Sequence, residues 1–336
     1  MKEKEKIFIF ILSIIAIIII LIENIVVFYY NRNVNIDDIK QNEVLIGACD
    51  VYGPGIEIDI EDGTDLIHQE DIIILLDECK NAGSEVISVN DVRITTNSYI
   101  YCDGGVILID GIKIGNPFII KAIGNPETLY SSVTRNKGYI STLQNDGIKV
   151  AVTKKGHIEV SKTNKKFIYD YIGNGNNLSI LHSTNKLCGK DKIYGRGISI
   201  YFEYSSATAL TLIQIINDLN SANAIAIEVN GNRILSNTDI VDISQKYILL
   251  NSIPLSHSFL ICAIGNSNKM IEALNYSNSM INKLKNNNVD VLIEKNSILK
   301  IDKYVQNRGQ NKLDVKYAIP AQWCIKIFIC FIWYVV

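Results

Sequence analysis

The sequence is poor in the residues that build metal centres and reactive sites. Its 336 residues include only four histidines, seven cysteines and five prolines. The histidines lie far apart, and no Cys-x-x-Cys pair occurs. These absences argue against a zinc site and against a complete disulfide framework, so we expect most cysteines to be small buried apolar residues and expect no metal or cofactor.

An excess of charge of one sign is also missing. Lysine and arginine together number 33 against 35 acidic residues, which gives a net charge of −2. A chain balanced in this way creates no field that would draw it to DNA or RNA. Nucleic acid is therefore not an expected partner.

The sequence does contain a long apolar run near its amino end. Residues 7–30 follow the lysine-rich residues 1–6 and are interrupted mainly by Glu23 and Asn24. As a helix this run would be about 36 Å long, enough for a hydrocarbon core of about 30 Å. It predicts a single-pass transmembrane anchor at 7–30 in contact with membrane lipid, a cytoplasmic tail at 1–6, and a cell-membrane location with the bulk of the chain extracytoplasmic. A cleaved signal peptide and a buried core helix are the alternatives.

The remainder of the chain carries an internal duplication. The segment GACDVYGPGIEI is matched by GKDKIYGRGISI, VNDVRI by VNGNRI, and AIGNPETL by AIGNSNKM, at offsets between 140 and 142 residues. Two tandem units are predicted, at 44–162 and 186–320, with a linker at 163–185 between them and an apolar tail at 321–336. The tail is a membrane-surface segment, a translated frameshift or an aggregation-prone strand.

Strand and helix patterns alternate within each unit. In the first unit the alternating strand GIEIDI is followed by a helix over residues 68–82, the strand SEVISVN, a hairpin, the strand FIIKAIG, a helix from Asn125 toward Gln144 and the strand IKVAV. The second unit repeats this order. The pattern predicts an α+β fold, with two tandem ferredoxin-like (βαββαβ-type) sandwich domains that contain inserted hairpins.

Four segments of the first unit also carry a family resemblance. In chain order they read GPGI, NAGSEVISVNDVRI, IYCDGGVILIDG and NPFIIKAIGNPETL. They resemble the bacterial domain-of-unknown-function (DUF) family 881, with the second unit as a divergent copy. The resemblance implies a membrane-anchored envelope protein with an extracytoplasmic domain and envelope or division proteins as partners. It supplies no catalytic residues.

One polar pair recurs in both units at a strand–strand turn. Asn90 and Arg93 in the first unit correspond to Asn230 and Arg233 in the second. Such a pair could bind a carboxylate or phosphate, or it could stabilise the turn and hold a neighbouring carbonyl. We favour the structural interpretation, because the divergent copy keeps both residues.

Glycines and asparagines at repeated positions have structural interpretations as well. A Gly-x-Gly pair precedes the first strand of each unit, at Gly53 and Gly55 and at Gly195 and Gly197. It could hold a phosphate, but it does not join a strand to a helix as a dinucleotide site requires, so we interpret these residues as structural turns. Asn125 and Asn266 each follow Ile-Gly and are predicted to cap helices.

The sequence favours a non-enzymatic function. Ser256-His257 has no nucleophile elbow and no partner acid, and the acidic residues 59–65 do not match a calcium loop. We predict an envelope scaffold or protein-interaction module in a division setting, with sheet edges as docking sites and a homo-oligomer as one option. The alternative is a sensor that binds a cell-wall fragment or small anion in the cleft between the units. Aromatic and basic residues around one cleft would favour the sensor, and apolar or unpaired edges would favour the scaffold.

Overall fold

The computed structural model describes residues 14–23, 36–63, 67–166, 177–244, 247–304 and 316–317.

The predicted transmembrane helix is wrong. Residues 14–23 are helical. None of the helices in these ranges has the length and apolar character needed to cross a membrane. The rest of the predicted anchor, the tail at 1–6 and the tail at 321–336 lie outside the described residues.

The first unit alternates strands and helices after a leading helix. Its elements are α1 (Ile36–Ile46), β1 (Val51–Glu61), α2 (Gln69–Asn81), β2 (Val86–Val89), β3 (Val92–Arg93), β4 (Ile100–Asp103), β5 (Val106–Ile109), β6 (Ile112–Ile114), β7 (Phe118–Ile123), α3 (Pro126–Val133), α4 (Tyr139–Asn145) and β8 (Lys149–Val160).

The second unit repeats this order element by element. Its elements are α5 (Asn177–Leu187), β9 (Ile193–Glu203), α6 (Ala209–Ser221), β10 (Ala226–Val229), β11 (Asn232–Arg233), β12 (Ile240–Ser244), β13 (Tyr247–Leu250), β14 (Ile253–Leu255), β15 (Ser258–Ile264), α7 (Ser267–Leu274), α8 (Met280–Asn286) and β16 (Val291–Ile301). A short strand β17 (Lys316–Tyr317) then pairs with the start of β1.

The main sheet of each unit is antiparallel. The strand order is β8-β1-β7-β2-β3 in the first unit and β16-β9-β15-β10-β11 in the second. If β1, β2, β7 and β8 of the first unit are numbered 1 to 4, they lie in the order 4-1-3-2 across the sheet, and helices follow the first and third of them. The second unit has the same arrangement. The fold class is therefore α+β, and the strand and helix order is that of a βαββαβ sandwich.

Alternation along the strands places a core on one face of each sheet. Ile56, Ile58 and Ile60 of β1 are fully buried in the cluster that includes the apolar side of α2. Ile198, Ile200 and Phe202 of β9 do the same in the second unit. Side chains of opposite parity lie on the other sheet face, where Val86 and Ile123 of the first unit pack against Val44 of α1.

Two local predictions needed correction. The inserted segment is a three-stranded sheet (β4-β5-β6 and β12-β13-β14) and not a hairpin. Its first strand in the first unit, β4, was not predicted because the last three residues are exposed and the strand lacks the apolar alternation that would mark it. The single helix expected toward Gln144 is two helices, α3 and α4. Lys137 adopts φ 60° and Gly138 is the N-cap of the second helix, so one continuous helix cannot run through this segment.

Candidate interaction surface

Asn90 and Asn230 hold the β2–β3 and β10–β11 turns against the neighbouring strand. Both adopt left-handed backbone angles, with φ of 44° and 48°, which asparagine tolerates better than most residues. The Oδ1 atom of Asn90 accepts from the N–H of Ile119 at 2.9 Å, and that of Asn230 accepts from Leu260 at 2.7 Å. Each amide group also donates to a backbone carbonyl at 2.9–3.0 Å.

Arg93 and Arg233 attach the leading helix to its unit. Each side chain is 3% exposed. Arg93 donates to the carbonyl of Val44 in the last turn of α1 at 2.7 Å, and Arg233 donates to that of Lys186 in the last turn of α5 at 2.9 Å. Burial lowers the pKa of Arg93 to about 10, so the guanidinium remains charged at neutral pH and complements the helix C-terminus. Neither arginine is accessible to an external ligand.

The glycines predicted to form turns lie inside strands instead. Strand β1 contains Gly53 and Gly55, and β9 contains Gly195 and Gly197, each pair at a β-bulge. A Cβ atom on Gly55 would lie 2.0 Å from the carbonyl oxygen of Ala122, and one on Gly197 would lie 2.0 Å from that of Ala263. Close approach of the neighbouring strand, and not a positive φ, requires glycine at these two positions.

Asn125 and Asn266 stand at the N-terminal ends of helices α3 and α7. The Oδ1 atom of Asn125 accepts from the N–H groups of Glu127 and Thr128 at 3.0 and 3.1 Å. Asn266 makes the two equivalent bonds at 3.1 and 3.2 Å. These contacts satisfy helix donors that would otherwise lack partners.

The two units meet where helix α2 of the first unit and helix α6 of the second each contact the inserted sheet of the other unit. Asn217 of α6 accepts from the N–H of Ile100 at 2.6 Å and donates to the carbonyl of the same residue at 2.8 Å. One turn later, Asn220 donates to the carbonyls of Thr96 and Ser98, both at 3.1 Å. The side-chain amides of α6 therefore extend the hydrogen bonding of the first unit's inserted sheet.

Helix α2 makes the reciprocal contact with a different pair of side chains. Asp77 and Lys80 occupy the positions of the two asparagines, at an offset of 140 residues. The Oδ1 atom of Asp77 accepts from the N–H of Ile240 at 3.2 Å. Burial raises the pKa of Asp77 to about 7 and lowers the pKa of Lys80. A neutral amide pair in one unit thus corresponds to a half-buried acid and base in the other.

A cavity of about 80 Å³ lies between the units beside these contacts. Its lining is mostly isoleucine, leucine and threonine, and the remaining lining residues are Asp77, Lys80, Ser98, Asn217 and Asn220. None of the lining residues is aromatic. Its volume suits a few water molecules, whereas pockets for organic ligands are typically about 300–1,000 Å³.

Groups that could perform covalent or metal chemistry are scarce in the described chain. Within it, no three His, Cys, Asp or Glu side chains lie close enough together to hold a metal ion. The described cysteines are free thiols. Burial raises the pKa of Cys79 and Cys188 to about 12, so these thiols stay protonated and unreactive at neutral pH.

The face of the second unit's sheet opposite α6 carries a row of exposed apolar side chains. Tyr201 is paired in register with Leu260 on one side and with Leu292 on the other. These three residues, here called the apolar row, are 39%, 45% and 56% exposed. Glu203 and Glu294 lie on the same face, two residues along their strands, and both are exposed. The row is therefore an apolar surface with an acidic border.

The corresponding positions of the first unit are different. Asp59 pairs with Ile119 on one side and with Ala151 on the other. Asp59 and Ala151 are exposed and Ile119 is half-buried. The same fold therefore forms with a carboxylate at the centre of this face.

Comparison with known proteins agrees with this duplicated architecture. The family model described as "Bacterial protein of unknown function (DUF881)" matches residues 38–172 and again residues 181–317, which together make up most of the chain. The chain belongs to the DUF881 family. The two consecutive matches confirm that this DUF881 protein contains two tandem copies of the family domain.

Relatives of this DUF881 chain carry names that assign no activity. The UPF0749 protein YlxW of Bacillus subtilis is 30% identical over 142 residues, which are 39% of this chain and 60% of the relative. The UPF0749 protein Rv1825 of Mycobacterium tuberculosis is 28% identical over 122 residues, 35% of this chain and 42% of the relative. The chain thus spans about 60% or less of these curated relatives.

A solved structure is also similar to part of the DUF881 chain. It is the crystal structure of an uncharacterized conserved protein from Mycobacterium tuberculosis, 26% identical, with a TM-score of 0.37. The match covers 40% of this chain and 96% of that chain.

Sequence reasoning found the recurrent Asn–Arg pairs of this DUF881 protein but missed its interface and its apolar row. The alignment at an offset of 140 already pairs Asp77 with Asn217 and Lys80 with Asn220. The sequence therefore already shows that these positions correspond, but it indicates an interface only once the helices are known to contact the opposite unit.

Proposed function

We propose that this DUF881 protein is a non-enzymatic interaction module that binds a protein partner through the apolar row of its second unit. The observation that carries the proposal is the exposure of Tyr201, Leu260 and Leu292 side by side on an open sheet face. Contiguous apolar surface of this kind typically marks a contact site. The fold of the second unit alone does not account for the row, because the first unit forms the same sheet with Asp59 and Ala151 there.

The border of the row indicates the chemistry of the partner. Glu203 and Glu294 place carboxylates beside the apolar side chains. A partner segment that presents apolar residues next to lysine or arginine would complement both features, because opposite charges at the rim favour the correct orientation. Central aromatic residues typically supply much of the binding energy, so Tyr201 is the expected anchor.

The sensor alternative has weaker support. The cavity between the units is about 80 Å³ and has no aromatic lining residue, whereas a cell-wall fragment would need several times that volume. The scaffold proposal requires no such volume. The envelope location and the division setting stay predictions that rest on the family resemblance.

Photo-crosslinking in intact cells tests the proposal. A photoreactive residue at position 292 is expected to capture a defined protein, and the double substitution Leu260→Lys and Tyr201→Lys is expected to abolish that capture. The matched control carries Ile119→Lys and Asp59→Lys on the same face of the first unit and should leave capture intact. Equal capture in both variants, with unchanged melting temperatures, would show that the row is not the binding surface.

A further inference from the structure

At equivalent positions of the interface, the first unit has a carboxylic acid, Asp77, and the second unit has an amide, Asn217. Asn217 contacts Ile100 through two hydrogen bonds, since its amide both accepts from the N–H and donates to the carbonyl. Asp77 accepts from the N–H of Ile240. An ionised carboxylate has acceptors only, whereas a protonated one has an O–H donor as well. Asp77 can therefore reproduce the contact of Asn217 only when it carries a proton.

The surroundings of Asp77 favour the protonated form. Burial is the largest influence and raises the pKa of the carboxyl to about 7; Lys80 and the hydrogen bond from the Ile240 N–H oppose the rise, and Asp239 and Glu78 add to it. The charged and titratable groups near this part of α2 are Lys80 and Glu78 on the helix itself, Asp239 from the second unit, Arg135 from the segment between α3 and α4, and Tyr139 at the start of α4. Arg135 pairs with Glu78 at 2.5 Å, and Tyr139 donates to Asp71, so neither is bound to Asp77.

We infer that Asp77 is a protonation-dependent clamp between the two units. With the proton on Oδ2, the carboxyl donates to the carbonyl of Ile240 while Oδ1 accepts from its N–H. Loss of the proton removes the donated bond and leaves a negative charge facing a carbonyl oxygen and Asp239. The inserted sheet of the second unit is then held less tightly, while the contact between Asn217 and Ile100 is unaffected by pH.

Hydrogen exchange of the full-length chain between pH 5.5 and 8.5 tests this inference. After correction for intrinsic exchange, protection of the Ile240 amide is expected to fall about tenfold from pH 6 to pH 8, the equivalent of one hydrogen bond. Protection of the Ile100 amide in the same samples should stay constant. Ile100 thus serves as an internal control.

Three variants make the outcome decisive. Asp77→Asn should keep Ile240 protected at every pH, and Asn217→Asp should transfer the pH dependence to Ile100. Asp218→Asn is the matched control, because Asp218 also has a pKa raised to about 7 by burial but bonds to Met280 within its own unit. It should leave the response of Ile240 unchanged. Flat protection at Ile240 in the wild-type chain, or the same fall in Asp77→Asn, would overturn the inference.

Discussion

Replacement of Gly55 by alanine is expected to be among the most damaging conservative changes in the molecule. The new Cβ atom would lie 2.0 Å from the carbonyl oxygen of Ala122, whereas carbon–oxygen contacts between strands are about 3.3 Å or longer. Strand β7 would have to move by more than 1 Å, which stretches adjacent bonds such as the one from Gly124 N–H to the Pro54 carbonyl at 3.0 Å. Overpacking plus about two weakened backbone bonds predicts a loss of about 3–4 kcal/mol in the free energy of unfolding.

Urea denaturation followed by circular dichroism measures this loss. Gly197→Ala should have a similar effect on the second unit, because its Cβ atom would meet the carbonyl of Ala263 at the same distance. The matched control is Gly156→Ala in strand β8, where a Cβ atom would have no neighbour within 4 Å; it should change stability by less than about 1 kcal/mol. If Gly55→Ala unfolded at the same urea concentration as Gly156→Ala, the close approach of β1 and β7 would not be the reason for glycine.

Two further predictions concern buried charged groups. Arg93→Ala and Arg233→Ala should each destabilise their own unit by about 2–3 kcal/mol and affect partner capture less than folding; unchanged melting with lost capture would contradict this structural role. Asp218 should make stability depend on pH, because its folded pKa is raised from 3.8 to about 7. Its contribution is fully present below about pH 4 and is lost as pH rises toward 7, by about 4 kcal/mol in total. Unfolding measured from pH 4 to pH 8 should show this slope, and Asp218→Asn should reduce it while the slope from Asp77, whose pKa is also raised to about 7, remains; an equal slope in both proteins would exclude Asp218 as a source.

Local features were predictable from the sequence because their causes are local. Apolar alternation defined the long strands, and Asn125 after Ile-Gly marked a helix start whose bonds span only three residues. The recurrence of Asn90 and Arg93 in the second copy pointed to two side chains that make equivalent contacts in both units. A duplicated sequence helped, because chance patterns rarely recur in order at one offset.

Non-local features could not be predicted in the same way. The pattern Gly-x-Gly indicates a need for small residues, but a turn and a close strand approach have the same signature until the position of Ala122 is known. The apolar run at the amino end has the length needed for a membrane span, yet no helix in the described part of the chain is long and apolar enough to cross one. Contacts such as Asn217 with Ile100 join residues 117 positions apart, and no periodicity within one unit reports on them.

The two copies differ at positions that make the pair of units asymmetric. At the interface the first unit contributes Asp77 where the second contributes Asn217, and on the open sheet the second unit has Tyr201 where the first has Asp59. A symmetric pair would present two equal faces and could assemble through either of them. Here only one face has the apolar row, and only one of the two helix contacts can titrate. The same duplication that gives both units one fold therefore supplies matched controls, since Tyr201 and Leu292 of the apolar row correspond to Asp59 and Ala151, and Asp77 of the clamp corresponds to Asn217.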